Sequence, residues 1–136
     1  MTISPEQLAK SGSEHGHQVA LFCQANRHIE QWPELKWMFA IPKGGERNPI
    51  VAANLKAEGV KSGVSDICLP CARKGYHGFF IEMKKPSVKP KKSTSKGAAS
   101  DNQLEFGAAV TENGYLFCVC YDWTEAWGRI CWYMGE

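Results

Sequence analysis

The sequence Gly78-Phe79-Phe80-Ile81-Glu82-Met83-Lys84 carries the clearest structural pattern in this chain. Its aromatic and branched residues are typical of a β-strand, in which successive side chains point to opposite faces. Glu82 and Lys84 therefore share one face, whereas Ile81 and Met83 share the other. An acid and a lysine on one face of a strand whose other face is apolar are an unusual combination.

A partner strand is predicted over Ser65–Cys71, and Gly75 lies in the short turn between the two strands, which therefore pair as a hairpin. A turn centred near Gly75 sets Asp66 opposite Lys84 and diagonal to Glu82, at about 7–8 Å by ordinary sheet spacing. Two carboxylates at that distance can reach a single hard cation from two strands.

The oxygen donors of this hairpin suit Mg²⁺ or Mn²⁺, which bind a few carboxylate oxygens and take water or phosphate oxygens as further ligands. The backbone carbonyl of Met83 could supply a third oxygen. Lys84 would then lie beside the metal, where an ammonium group stabilises negative charge on a phosphate or orients a water. The pattern is equally consistent with a solvated strand edge that carries a weak surface ion pair.

Capping and breaking residues mark the helices around the hairpin. The predicted helices begin at Ser4, between Ser11 and Glu14, at Asn48, at Ser100 and at Asp122, and the last four end near Asn26, Glu58, Asn113 and Tyr133. Further strands are predicted over Trp37–Ile41 and Tyr115–Tyr121. This order predicts an α/β fold with a central mixed β-sheet flanked by α-helices, in a single domain over residues 1–136.

Composition narrows the class of protein further. A chain of 136 residues with 43% hydrophobic and 22% charged residues suits a globular domain. The net charge of +2 is too small to indicate nucleic-acid binding by itself. No run of about 18–20 apolar residues could cross a membrane, and the N-terminus lacks the apolar segment of a signal peptide. We therefore expect an intracellular, cytoplasmic protein with reduced cysteines and no membrane partner.

Positive charge is concentrated in residues 83–97, which contain six lysines and no acid. The Pro-, Ser-, Lys- and Gly-rich residues 86–99 are predicted to form a mobile loop. Charge runs are usually only solvated. This one directly follows Lys84, however, where loop lysines would neutralise a bound phosphate backbone, so we favour contact with DNA.

Together these segments resemble the PD-(D/E)xK nuclease core, and more narrowly the VRR-NUC family, especially its small stand-alone members from phages and bacteria. The similar motifs cover most of the chain, and their order and spacing are specific together although each is weak alone. They are Ser13-Glu14-His15 with Gln18, Ile41–Arg47, Leu55–Val60, Gly63–Asp66, Gly78–Lys84, Gln103 at a helix start, Gly114-Tyr115 and Glu125-Ala126.

The resemblance implies a restriction-endonuclease-like core and a Mg²⁺- or Mn²⁺-dependent endodeoxyribonuclease. Asp66 and Glu82 would bind the metal together with the backbone carbonyl of Met83. Glu14 would approach the metal directly or through water, and Gln18 would support the site. The implied catalytic residues are Glu14, Asp66, Glu82, Lys84 and Gln103. Ser65 replaces a proline that is frequent before the family's aspartate, but no metal ligand is lost.

The resemblance also implies branched DNA as the substrate and a homodimer that cuts a four-way (Holliday) junction symmetrically, because a two-fold dimer matches a two-fold substrate. Lys43 replaces an asparagine that is frequent in the family and adds a phosphate contact. The alternatives are a flap or nicking nuclease of the same fold and a non-catalytic zinc- or DNA-binding module. The residues expected to contact DNA are Lys43, Arg47, Lys85, Lys89, Lys91 and Lys92.

Three other features compete with these roles. Glu14 and Gln103 each lie three residues after a serine that could cap the helix, and capping should coexist with a site role only if the side chain leaves the cap. His15 and His17, near Glu14, could be metal ligands, but they are interpreted as exposed helix residues or phosphate contacts. Cys68, Cys71, Cys118 and Cys120 could form a zinc site or a redox pair, but their strand-like surroundings favour buried free thiols.

Overall fold

The computed structural model describes residues 3–42, 48–91 and 97–135. Its strands form one four-stranded sheet in the order β1 (Phe39–Ala40), β2 (Ile67–Leu69), β3 (Phe79–Met83) and β4 (Leu116–Cys120). β1 pairs with β2 and β2 pairs with β3 in the antiparallel direction, whereas β4 runs parallel to β3. The sheet is therefore mixed, as predicted.

Capping residues set the starts of the helices. The N-cap side chains accept a backbone hydrogen bond at the predicted Ser4, Asn48, Ser100 and Asp122, whereas the second helix is capped by Ser13 rather than Ser11. No helix in the described ranges is long and apolar enough to cross a membrane. The helices are α1 (Pro5–Leu8), α2 (Glu14–Asn26), α3 (Pro49–Ala57), α4 (Asp101–Glu112) and α5 (Trp123–Met134), with 3₁₀ turns at Pro33–Trp37 and Pro86–Val88.

Helices cover both faces of β3. On one face Phe79 packs on Tyr133 of α5, with ring centroids 5.2 Å apart, in a core that includes buried residues of α2. On the other face Phe80 packs edge-on against Phe106 of α4, also at 5.2 Å. Parallel neighbours need a crossover connection, and α4 provides it between β3 and β4. This crossover places the start of α4 over the face that carries Glu82.

The hairpin register differs from the predicted one. Ile67 pairs with Ile81, so continuing the pairing by one residue sets Asp66 opposite Glu82 rather than opposite Lys84. The shift is two residues, and therefore each side chain keeps the face that the sequence predicts. The pairing of β2 with β3 ends at Ile67, and beyond it the Met83 N–H donates to the Asp66 side chain.

The cause of this shift lies in the turn and in the residues beside it. The turn is centred between Lys74 and Gly75 and not on Gly75, because Arg73 bridges to Tyr76 and Lys74 and Gly75 adopt φ of 50° and 85°. This accounts for one residue of the shift. Three residues then separate Arg73 from β2, but only two separate Tyr76 from β3. The extra residue acts like a bulge and moves the register by the second residue.

Two predicted strands are longer than the observed ones. The strand predicted over Trp37–Ile41 is reduced to β1 because the residues before it form a 3₁₀ turn. The strand predicted over Ser65–Cys71 is reduced to β2. Pairing nevertheless continues beyond β1, where the Ile41 N–H donates to the carbonyl of Asp66 at 2.7 Å.

Candidate active site

Asp66 directly precedes β2 and Glu82 lies on β3, and both are buried, with 8% and 1% of their surface exposed. Asp66 Oδ2 accepts a 2.7 Å hydrogen bond from the backbone N–H of Met83. This bond holds the Asp66 carboxylate against the strand that carries Glu82.

Gln103 forms a hydrogen bond to Glu82 from α4, the helix that covers this face of the sheet. Its Nε2 donates to Glu82 Oε2 at 3.1 Å, while its Oε1 accepts from the backbone N–H of Ser100 at 2.8 Å. Ser100 in turn accepts from the Gln103 N–H, which completes a capping box. The prediction that Gln103 must leave the cap to reach the site is therefore wrong, because one end of its amide completes the capping box while the other contacts Glu82.

Lys84 lies just beyond the end of β3. Its Nζ is 3.7 Å from Glu82 Oε2, and its side chain is mostly buried. The Lys84 backbone N–H donates to the carbonyl of Cys120 at 2.8 Å, so the chain stays paired with the end of β4. The sheet thus fixes the lysine backbone while the ammonium group lies beside the buried acid.

The first turn of α2 reaches the same edge of the sheet. His17 is buried, and its Nδ1 accepts the backbone N–H of Trp123 at 3.0 Å, just after β4 ends. The interpretation of His17 as an exposed residue is wrong. The local sequence gives no signal for this bond, because the two residues are 106 positions apart.

Glu14 is the exposed first residue of α2, one turn before His17, and Gln18 is half-buried on the same helix. The competing capping role of Glu14 with Ser11 does not apply, since Ser13 caps this helix. Within the described ranges no group of three or more His, Cys, Asp or Glu side chains is arranged to hold a metal.

Part of the lysine-rich segment lies near this edge. Lys85, Lys89 and Lys91 are exposed. Lys89 lies close enough to Asp122 to affect its pKa. Burial raises the pKa of the Asp122 carboxyl, but hydrogen bonds from Glu125 and Thr124 and the charge of Lys89 bring the pKa below its usual value. Among the other predicted DNA contacts, Lys43, Arg47 and Lys92 lie outside the described residues.

The cysteines do not form the alternative zinc site. Cys68 shares the Phe80 face of the sheet, whereas Cys118 and Cys120 pair with residues of the opposite face, and β3 lies between the two groups. Four thiolates in these positions cannot converge on one ion. Burial also raises the pKa of Cys68 and of Cys71, which is the opposite of what a reactive thiolate requires.

Comparison with known proteins agrees with this architecture. No protein-family model and no curated protein matches the chain. A solved structure described as a VRR_NUC domain protein is similar, with a TM-score of 0.70 and 25% sequence identity over 91% of each chain. This similarity confirms the predicted resemblance to the VRR-NUC family and the predicted restriction-endonuclease-like α/β fold.

Proposed function

We propose that this chain, which has the fold of a VRR-NUC domain, is a Mg²⁺- or Mn²⁺-dependent endodeoxyribonuclease that hydrolyses phosphodiester bonds in branched DNA. The similarity to a VRR_NUC domain protein supports a nuclease-type function. The observation that carries the proposal is the pair of buried acids on neighbouring segments, Asp66 bound to the Met83 N–H and Glu82 beside it, with the Lys84 ammonium group 3.7 Å from Glu82.

The donor chemistry of this pair fits a hard divalent cation. Two carboxylates on adjacent strands, with the carbonyl of Met83 between Glu82 and Lys84, offer the oxygen ligands that Mg²⁺ and Mn²⁺ prefer. The Met83 N–H and the Gln103 amide orient the two carboxylates, as outer partners of metal ligands do. When bound, the ion supplies positive charge to the scissile phosphate and acidifies a water.

The protein groups around the pair have separate tasks. Lys84 places a positive charge where negative charge grows on the phosphate, and a fixed, mostly buried ammonium group stabilises that charge more than one in bulk water. Gln103 keeps Glu82 oriented through its amide hydrogen. Glu14 approaches the same edge from the start of α2. Each of these roles is a proposal that mutagenesis can test separately.

The DNA backbone is proposed to lie over the edge of the sheet where β3 and β4 end. Lys85, Lys89 and Lys91 are exposed beside that edge and would neutralise phosphates without distinguishing base sequence. Lys43, Arg47 and Lys92 are proposed to add to this contact. The resulting binding depends on charge, so it should weaken steeply as salt concentration rises.

A four-way junction cut by a homodimer is the most specific form of the proposal. Two copies related by a two-fold axis present two equivalent sites to the two equivalent strands of a junction. Exposed aromatic side chains such as Trp37 and Trp132 are suited to an interface between copies. The alternative is a flap or nicking nuclease of the same fold, and sedimentation at micromolar protein concentration distinguishes a dimer from a monomer.

The experiment is a cleavage panel of four-way, flap, splayed and linear duplex DNAs with Mn²⁺ or Mg²⁺, with product ends mapped. We expect the wild type to cut branched DNA, and Asp66→Asn to lower the rate by about a hundredfold or more. Asn keeps an acceptor for the Met83 N–H but loses the charge. Glu112→Gln, an exposed change at the end of α4, is the matched control. Equal rates for wild type and Asp66→Asn would refute the site.

A further inference from the structure

A groove of about 820 Å³ lies between α3 and the first half of α4. Its apolar lining includes Leu55, Val60 and Phe106. Lys56 and Lys61 line it as well, and Glu105 is the one acid that does so among the residues that the structure describes. The groove therefore combines an apolar surface with a net positive charge.

The groove is continuous with the proposed active site. Gln103 lines the groove and donates a hydrogen bond to Glu82, so one side chain belongs to both. Phe106, another lining residue, packs against Phe80, which shares its face of β3 with Glu82. A chain bound in the groove would lead directly to the buried acids.

We propose that this groove binds unpaired nucleotides of branched DNA next to the phosphodiester bond that is cut, an inference that rests on the proposed nuclease function. Lys56 and Lys61 would contact phosphates, and bases would lie against the apolar lining around Phe106. Sites for single-stranded DNA combine a positively charged groove with apolar and aromatic surfaces in this way. The substrate class that follows is DNA with unpaired nucleotides at its branch point, such as a flap, so the groove favours the flap alternative over a fully paired four-way junction.

The chemistry of the lining favours single-stranded DNA over two other candidate occupants, which are duplex DNA and a second copy of the chain. Duplex DNA stacks its bases inside and presents only phosphates and groove edges, so an apolar recess gains nothing from it. A second copy of the chain would bury the two lysines, and charged residues are depleted at the centre of protein interfaces. An unpaired strand offers phosphates for Lys56 and Lys61 and bare base faces for the apolar lining.

Removing the charges of Lys56 and Lys61 tests their contribution to DNA binding. Binding of labelled oligothymidylate is followed by fluorescence anisotropy in EDTA, so that no cleavage occurs. We expect Lys56→Ala with Lys61→Ala to weaken binding about tenfold near 0.15 M salt and to lower the slope of log affinity against log salt by about 1.4. The control variant, Lys10→Ala with Lys36→Ala, removes the same charge elsewhere and should change affinity by less than about twofold.

A matched pair of substitutions on α3 tests whether the groove is the binding site. Ala52 lines the groove and its neighbour Ala53 does not, although both are exposed on the same helix. Ala52→Glu should weaken oligothymidylate binding and the cutting of DNA with an unpaired arm, because it adds bulk and negative charge to the lining. Ala53→Glu makes the same change outside the groove and should leave both close to the wild-type values.

Equal oligothymidylate affinity for the two glutamate variants would overturn the inference. A change in sedimentation by Ala52→Glu with unchanged affinity would also overturn it and assign the groove to contact between copies. These outcomes are separable from failure of the proposed function, because binding is measured without cleavage. If the wild type cuts DNA and Asp66→Asn does not, the nuclease proposal stands whatever the groove binds.

Discussion

The two faces of β3 differ in what their buried residues contact, although those residues alternate along one strand. Ile81 lies on the face packed toward α5, in a fully apolar core. Glu82, the next residue, is equally buried but meets the amide of Gln103 and the ammonium group of Lys84. Burying an apolar side chain stabilises the fold, whereas burying an acid costs free energy that polar partners must offset. We infer that one face supplies stability and the other supplies chemistry.

Glu82→Gln should have the largest effect and should affect cleavage rather than stability. We expect the cleavage rate to fall by about a hundredfold or more, because a charged metal ligand is lost. In EDTA the variant should melt within about 4 °C of the wild type, since the neutral amide keeps the shape at no charge cost. Added Mn²⁺ should raise the melting temperature of the wild type only. A large loss of stability in EDTA would show that Glu82 has a structural role and would contradict the division between the two faces of β3.

Ile81→Ala should show the opposite pattern. Removing a fully buried branched side chain from the core should lower the free energy of unfolding by about 2–5 kcal/mol, measured by urea denaturation. The cleavage rate per folded molecule should stay near the wild-type value. Ile50→Ala is the control, because Ile50 is 74% exposed on α3 and should cost less than about 0.5 kcal/mol.

Gln103→Ala tests the comparison of the two faces more finely, because Gln103 contributes both to stability and to the proposed chemistry. Loss of its capping bond should cost about 0.5–1 kcal/mol of stability, and loss of its amide donor should lower the cleavage rate about tenfold. Gln7→Ala removes the equivalent bond from the capping box of α1, where no acid is bound. If the two variants lose cleavage activity equally, Gln103 acts only as a capping residue.

Asp122→Ala should have the smallest effect and only on stability. Asp122 caps α5, and hydrogen bonds from Glu125 and Thr124 outweigh burial, so its pKa is lowered in the folded protein. A carboxyl group with a lowered pKa stabilises the fold above its unfolded pKa and loses that contribution as pH falls through the folded value. The variant should be about 1 kcal/mol less stable at pH 7, and the difference should shrink below about pH 4. A difference that grows toward acid pH would contradict this sign.

Local sequence determined the helices and the faces of the strands. Ser100 and Asn48 each accept the backbone bond that their position predicts, because capping depends on a few adjacent residues. The alternation from Phe79 to Met83 also predicted which side chains reach the core. Both features depend on short-range geometry, so one sequence suffices to find them.

Long-range features of the site could not be predicted in the same way. The register that sets Asp66 level with Glu82 and not with Lys84 depends on the exact centre of the turn and on one extra residue beside it, which alternation alone does not reveal. The bond from Trp123 to buried His17 joins distant segments, and its formation depends on how α2 docks. Sequence therefore identified the acids, and the structure determined how close together they lie.

Manganese soaked into crystals of the protein tests the central claim most directly. Anomalous diffraction locates Mn²⁺ independently of any assumption about the site. The account predicts one strong peak between Asp66 and Glu82, about 2.0–2.3 Å from an oxygen of each, that disappears in Asp66→Asn crystals. Crystals of the wild type with the two acids turned apart and no manganese between them would contradict it.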